Sequence, residues 1–333
     1  MKELLQNIHT NFSWLNLQSI SLIASCILTI FLGFIIIPVL KRLHIGQVVR
    51  DHGPQTHMKK SGTPTMGGII MLIVIVASSV VIGLSMGYSN MIPVALVTAG
   101  FGFIGFIDDF KKLVLKNPKG LSPKLKMLGL LLVAGLFVAY LYKIGFGTDI
   151  YIPIARTHIT LPLIIYICFT IFVMLACTNS LNLTDGLDGL AGGVTAIIMI
   201  FFTFASMAWG NKDMSVFSAL VCGTTIGFLF FNIHPARVFM GDTGSLALGG
   251  AFCSVAIMLK NPLILIVVAG VCVWEAISVI LQVGYAFLAK GKKLFKMAPV
   301  HHHLEFCGVK EYVIVPAFWI VTALLCFVGF KML

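Results

Sequence analysis

The sequence predicts an all-α integral membrane protein of about ten transmembrane helices, with both termini on the periplasmic or extracellular side. Three observations predict it. The chain has 333 residues, of which 59% are hydrophobic and 11% charged. A soluble domain carries roughly 45–50% apolar and about 25% charged residues, so an ordinary soluble enzyme is excluded, and so is a disordered chain. Ten apolar runs fall along the sequence, most of them near the ~20 residues that a helix needs to cross a bilayer. Lysine and arginine, finally, are dense in every second inter-run segment and sparse in the others. Loops use up what remains, so residues 1–333 are expected to form one polytopic domain.

The runs lie near residues 17–40, 68–87, 90–107, 127–145, 160–177, 189–209, 215–232, 245–259, 261–289 and 313–332. The first is too long for a cleavable signal, and its basic flank follows it rather than preceding it. The run at 245–259 is short and glycine-rich, the weakest of the ten. The run at 261–289 is too long for one straight crossing and is expected to tilt, bend or emerge near Gln282 to Lys290.

Of the 23 lysines and arginines, 17 fall on one set of alternate sides and 6 on the other. The positive-inside rule makes the richer side cytoplasmic and turns both termini outward. An even number of spans requires that the termini share a side, so count and orientation agree. The net charge of +11 is therefore read as retained cytoplasmic charge; no nucleic-acid partner is expected. Seven of the eight cysteines sit in apolar runs and no C-x-x-C pair occurs, which argues for small buried side chains rather than a zinc knuckle or disulfides. The outer loops are short and poor in chemistry, whereas the inner ones are long and polar. Any active site is expected on the cytoplasmic face.

Four segments carry the chemistry. The third run ends in F-I-D-D-F-K-K, placing Asp108 and Asp109 at its inner end with Lys112 one turn later. Adjacent carboxylates at a membrane edge are costly unless paired with cations. They are either a helix end neutralised by its own lysines or a cluster for Mg²⁺ and phosphate, since Mg²⁺ takes a few carboxylate oxygens together with substrate phosphates. In N-S-L-N-L-T-D-G-L-D-G-L, Asn179, Asn182, Asp185 and Asp188 recur every third residue, roughly one helical stripe. Capping of the next helix would need one of them, not four.

The third segment is F-N-I-H-P-A-R-V-F-M-G-D-T-G-S. Asp242 could cap the helix that follows, or Thr243 or Ser245 could do so and leave Asp242 to a metal. Phe239 in this polar loop is a lipid anchor or a stacking platform for a base. The fourth is P-V-H-H-H-L-E. Three successive histidines share no helical face and have no cysteine beside them, so zinc is a poor reading; donors to phosphate or sugar oxygens fit better. A turn-rich inner loop, R-D-H-G-P-Q-T-H-M-K-K-S-G-T-P-T-M-G-G, adds Lys60 and Thr65 as contacts for an anion. Glu275 lies inside the ninth run, either functional or paired within the bundle. All four clusters fall on the same predicted side, which random capping would not select. Carboxylates for a divalent cation with cations for phosphate suit transfer between a nucleoside diphosphate and a membrane-bound phosphate.

The order D-D-F-K-K, N-x-x-N-L-T-D-G-L-D-G-L, N-x-x-P-A-x-V-F-M-G-D-T-G-S, P-V-H-H-H-L-E, from about Arg50 to Glu305, resembles the polyprenyl-phosphate N-acetylhexosamine-1-phosphate transferases. The H-H-H-L-E and G-T-P-T-M-G-G segments resemble its phospho-N-acetylmuramoyl-pentapeptide branch. The resemblance implies a multi-pass protein of the bacterial inner membrane, a homodimer, in which UDP-N-acetylmuramoyl-pentapeptide gives its phospho-sugar to undecaprenyl phosphate, with Mg²⁺ as cofactor. It implies that Asp242 holds the metal, and that Asp108, Asp109, Asp242 and His301 are catalytic. Phe239 would stack on uracil near Asp188, Asn232 and Gln282. Lys60, Thr65, Lys112, Lys124, Asn179, Asn182 and Asp185 would contact phosphates or order the site, and His302 and His303 with His301 would line its sugar and phosphate end. Two routes fit: direct attack of the lipid phosphate on the β-phosphate, which we favour, or a covalent aspartyl intermediate. A sister enzyme for N-acetylglucosamine-1-phosphate is the nearest alternative. An ion-coupled transporter is disfavoured, because it would place its acids near mid-membrane in repeated halves.

Overall fold

The structure is a computed structural model that describes residues 12–42, 62–117 and 119–333, with side chains from residue 17 onward. Helices α1 (Phe12–Arg42), α2 (Gly68–Met86), α3 (Met91–Leu113) and α4 (Pro123–Lys143) come first. A two-stranded hairpin follows, β1 (Asp149–Ile152) and β2 (Thr157–Thr160), antiparallel with Tyr151 opposite His158. Then come α5 (Leu163–Thr184), α6 (Leu190–Ala208), α7 (Lys212–Asn232) and α8 (Gly241–Met258). A 3-10 turn (Pro262–Ile264) leads into α9 (Leu265–Val268), α10 (Gly270–Leu288), α11 (Val300–Phe306) and α12 (Glu311–Lys331).

Nine of these helices are long and apolar enough to cross a membrane. Helix α8 is not among these nine, but its two ends place it alongside them. It begins at Gly241 beside the end of α3, and just beyond its end at Met258 stands Lys260, whose carbonyl accepts from Tyr151 N of the hairpin at 2.6 Å and whose ammonium pairs with Asp149. Both described ends lie on the hairpin side. Gln18 of α1 donates to Ser215 at the start of α7, and Arg156 of the hairpin turn donates to the Lys331 carbonyl.

Local chemistry sets the helix limits. Ser122 accepts from Leu125 N at the start of α4, with Pro123 in the first turn, where its missing N–H costs nothing. Asn211 caps α7 through Met214 N. Large apolar side chains such as Ile20, Phe31, Leu84, Leu136, Ile164, Phe172 and Leu324 point outward, a surface suited to lipid. The middle of the bundle is α6, α7 and α8; from Thr243 to Met258 every residue of α8 is buried. It packs chiefly on α3 and α5, and also on α2 and α6. Gly105 of α3 permits this, because a Cβ there would overlap the backbone carbonyl of Asp242. Small residues bring helices together in this way where no water drives association.

Three features differ from the sequence reading. The hairpin adds a small sheet to an otherwise helical chain: its short strands alternate too briefly to stand out beside the run at 160–177. The run at 261–289 is interrupted at Ala269, where φ −99° and ψ 22° end α9 before α10 begins; α10 then carries exposed Phe287 and Leu288. Of the seven cysteines in apolar runs, five are buried, Cys26 is half-buried and Cys168 faces outward.

Candidate active site

The centre of the site is the N-terminus of α8 and the aspartate pair of α3. Gly241 reaches its turn with φ +70°, a left-handed conformation that favours glycine. α8 has no side-chain cap of its own. Asp109 caps it from α3: its Oδ2 accepts from Thr243 N at 2.9 Å and Thr243 Oγ1 at 2.7 Å, and its Oδ1 from Asp242 N at 3.3 Å. Asp242 is thereby released from capping. Its Oδ1 accepts from Asn182 Nδ2 at 2.9 Å, while its Oδ2 lies 3.0 Å from Lys112 Nζ and 2.8 Å from Lys126 Nζ. Asn182 also donates to Ser245 Oγ. Asp108 joins the same lysines, 2.7 Å from Lys112 and 3.5 Å from Lys126, and accepts from Leu121 N at 2.6 Å. Thr65, buried, faces Gly241 on the same side as Asp109, in a segment whose Pro64 carbonyl accepts from Phe239 N at 2.8 Å.

Asp185, at the C-terminal cap of α5, keeps part of its surface open. Burial, then the charges of Asp242, Asp109 and Asp188, hold its carboxyl well above the usual carboxylate range. Around the centre, the carboxyl groups of Asp108, Asp109, Asp185 and Asp242 thus stand beside the ammoniums of Lys112 and Lys126. All their oxygens are hard donors of the kind that a divalent cation takes.

A second group adjoins it. Asp188 Oδ2 accepts from Ala236 N and lies 3.1 Å from His234 Nδ1. Glu311 Oε1 accepts from Asp188 N at 2.6 Å, and its Oε2 is 3.4 Å from His234. Asn232 accepts from Gly189 N and donates to the Val238 carbonyl. Asp188 and Asn232 therefore tie the loop after α5 to the 233–240 loop that carries Phe239, itself half-buried. Asp188, His234 and Glu311 have ligand atoms close enough for an ion. That mixed nitrogen and oxygen set suits a softer ion than Mg²⁺, and its oxygens already hold backbone amides.

The remaining expected residues are placed as follows. Lys60 lies outside the described residues. Lys124 is exposed and, among the described residues, it is Lys126 that reaches the aspartates. The two lie roughly 200° apart around α4, so only one can face the cluster. Asn179 donates to the Leu175 carbonyl of its own helix rather than to the cluster. Gln282 accepts from Leu294 N and Phe295 N and so fixes the loop after α10. His301 is fully buried; His302 pairs with Glu305 at 2.8 Å, and His303 accepts from Lys296 N. Lys126, Thr243, His234 and Glu311 were not singled out as site residues from the sequence.

The comparisons with known proteins fit this geometry. Residues 91–260 match the model of glycosyl transferase family 4, and residues 60–72 match the phospho-N-acetylmuramoyl-pentapeptide-transferase signature 1. The chain is 50% identical to the phospho-N-acetylmuramoyl-pentapeptide-transferase of Acetivibrio thermocellus, over 92% of its own length and 93% of the relative's. The chain belongs to the phospho-N-acetylmuramoyl-pentapeptide-transferase family. It is 46% identical to the family member of Halalkalibacterium halodurans, over 92% and 94% of the two lengths, and 43% identical to that of Bacillus subtilis, over 91% and 94%. As a multi-pass membrane transferase of this family, it places both aspartates of α3, the first of α8 and those after α5 inside the segment matched to glycosyl transferase family 4.

Proposed function

We propose that this enzyme transfers phospho-N-acetylmuramoyl-pentapeptide from UDP-N-acetylmuramoyl-pentapeptide to undecaprenyl phosphate, giving lipid I and UMP, at the cytoplasmic face of the bacterial inner membrane. One observation carries the reading: Asp108, Asp242, Lys112 and Lys126 converge within 3.5 Å contacts at one end of the bundle. That is the edge where a lipid phosphate and a water-borne nucleotide can meet. The positive-inside count makes it the cytoplasmic edge. The family members named above support the sugar-peptide, and the absence of acids other than Glu275 from the bundle interior among the described residues speaks against ion transport.

Asp242 and Asp108 would hold Mg²⁺, with the Asp185 carboxyl close by. The ion supplies charge neutralisation for the diphosphate. The chain's own groups do the rest. Lys112 and Lys126 hold the phosphate oxygens and screen the approach of two anions. An oxygen of the lipid phosphate attacks the β-phosphorus, the bond to the UMP oxygen breaks, and UMP leaves with the electron pair. A phosphate monoester has a second pKa of about 6, so this nucleophile is largely dianionic at neutral pH and needs positioning more than a base. Asp109, spent on capping α8, acts by fixing Asp242. Phe239, on the loop held by Asp188 and Asn232, would stack on uracil; Gln282, His302 and His303 would border the sugar end. A single domain working as a homodimer completes the reading.

The test is UMP release by purified protein in detergent with Mg²⁺ and both substrates. Release that needs both substrates and disappears in Asp242→Ala is expected. Release with UDP-N-acetylglucosamine instead would move the chain to the sister reaction. Silence with both donors in an active lipid would sink the transferase reading of the site.

A further inference from the structure

We propose that Glu275 is a positioning residue: it holds His301 in one tautomer and one orientation against the loop that carries Asp185 and Asp188. The kinetic part of its test rests on the transfer reading above; the spectroscopic part does not.

Glu275 on α10 and His301 at the start of α11 are both completely buried. A carboxylate inside a membrane bundle is costly unless it has partners. Here Oε1 accepts from the His301 backbone N–H at 3.3 Å, and Oε2 lies 3.2 Å from the ring Nδ1. The ring contact is loosely aligned: among the described residues neither Oε2 nor either ring nitrogen makes a well-directed hydrogen bond. Contacts of this kind commonly tighten only when ligands bind.

The chemistry dictates what the pair does. A carboxylate facing Nδ1 selects the Nδ1–H form and leaves Nε2 as an acceptor. Nε2 faces Gly186, close enough that a Cβ on that residue would overlap it. Gly186 separates Asp185 from Leu187 and Asp188. The imidazole is therefore a wedge under the backbone that sets those two carboxylates. Its ring also lies 4.2 Å from that of His302, so its orientation passes to the next histidine. Gln282, two turns along α10 from Glu275, grips the preceding loop. Glu275 alone of the two engages a ring whose protonation pattern depends on it.

Glu275→Gln is the decisive substitution. The amide keeps the shape and can still accept the backbone N–H, but it offers –NH₂ to the ring and so reverses the tautomer. The expected result is a kcat lower by about 10- to 100-fold, the loss typical of removing a histidine's orienting partner. KM for both substrates should stay within about twofold, since no ground-state contact is removed. In a His301→Ala background the same substitution should add nothing, and Gly186→Ala should give a similar loss by displacing the ring. Separately, ¹⁵N spectra of histidine-labelled protein in detergent, with the His301 signal assigned by its loss in His301→Ala, should show Nδ1–H in the wild type and Nε2–H in Glu275→Gln. Wild-type turnover in Glu275→Gln, an equal loss in both backgrounds, or an Nε2–H wild type would overturn the proposal. A wild type without turnover would overturn the transfer reading instead, and the tautomer would then decide on Glu275.

Discussion

Lys126 Nζ stands 2.8 Å from Asp242 Oδ2, whereas Lys124, half a turn back on the same helix, is exposed. Removing Lys126 takes away a fixed positive charge at the place where negative charge collects. We expect Lys126→Met to lower kcat by about 10²- to 10³-fold, the usual loss for one electrostatic donor. Lys124→Met should change it by no more than about twofold, as a surface substitution does. Parallel UMP-release assays on the two variants check this.

The aspartates of α3 should separate by what they do to stability. Asp109 holds three donors at the start of α8. Asparagine has one accepting oxygen and turns an –NH₂ toward the other donors, so Asp109→Asn should cost about 2 kcal/mol and lower the unfolding temperature in detergent along with activity. Asp108→Asn retains an oxygen for Leu121 N. It should lose activity with little change in unfolding temperature.

Asp185 should show the opposite sign. Burial and three neighbouring carboxylates raise its carboxyl well above the ordinary range, so at neutral pH the folded protein bears a penalty for ionising it that the unfolded chain does not. The penalty is absent below the unfolded carboxylate pKa of about 4, sets in as pH rises above it, and levels off once pH passes the raised folded value. In metal-free protein, Asp185→Asn should therefore unfold at a higher temperature than the wild type at pH 7, and the difference should vanish at acid pH. Turnover should fall, since stability and function oppose each other at such sites. An unchanged or lower unfolding temperature at pH 7 would refute this.

Chelation should separate activity from folding. Lys112 and Lys126 already pair with Asp108 and Asp242 without an ion. EDTA should abolish UMP release, and Mg²⁺ should restore it, while the thermal unfolding curve of substrate-free protein moves little. A collapse of the fold on chelation would show that the lysines do not balance the cluster.

The crossing helices were legible because lipid imposes length and apolarity on whatever faces it. The same reasoning explains the weak signal at 245–259: α8 touches only protein, so its glycines and serines answer to packing. The break at Ala269 has no proline or turn pair to announce it. In the site, Asp108, Asp109, Asn182, Asp185 and Asp242 were readable from their shared side. Lys126 was not, because α4 begins with two lysines on nearly opposite faces and only the packing of α4 on α3 selects between them. Nor was the burial of His301, which three successive histidines in a polar segment do not announce.

The burial of α8 also bears on how the protein is made. A helix with Gly244, Ser245, Gly249, Gly250 and Ser254 along its length gains little from lipid contact, and polar or small residues find their partners only on other helices. Its place in the bilayer is then secured by α2, α3 and α5 rather than by its own hydrophobicity. The chemistry of the enzyme consequently depends on that packing: Asp242 reaches Lys112 and Lys126 only where the start of α8 meets α3 and α4.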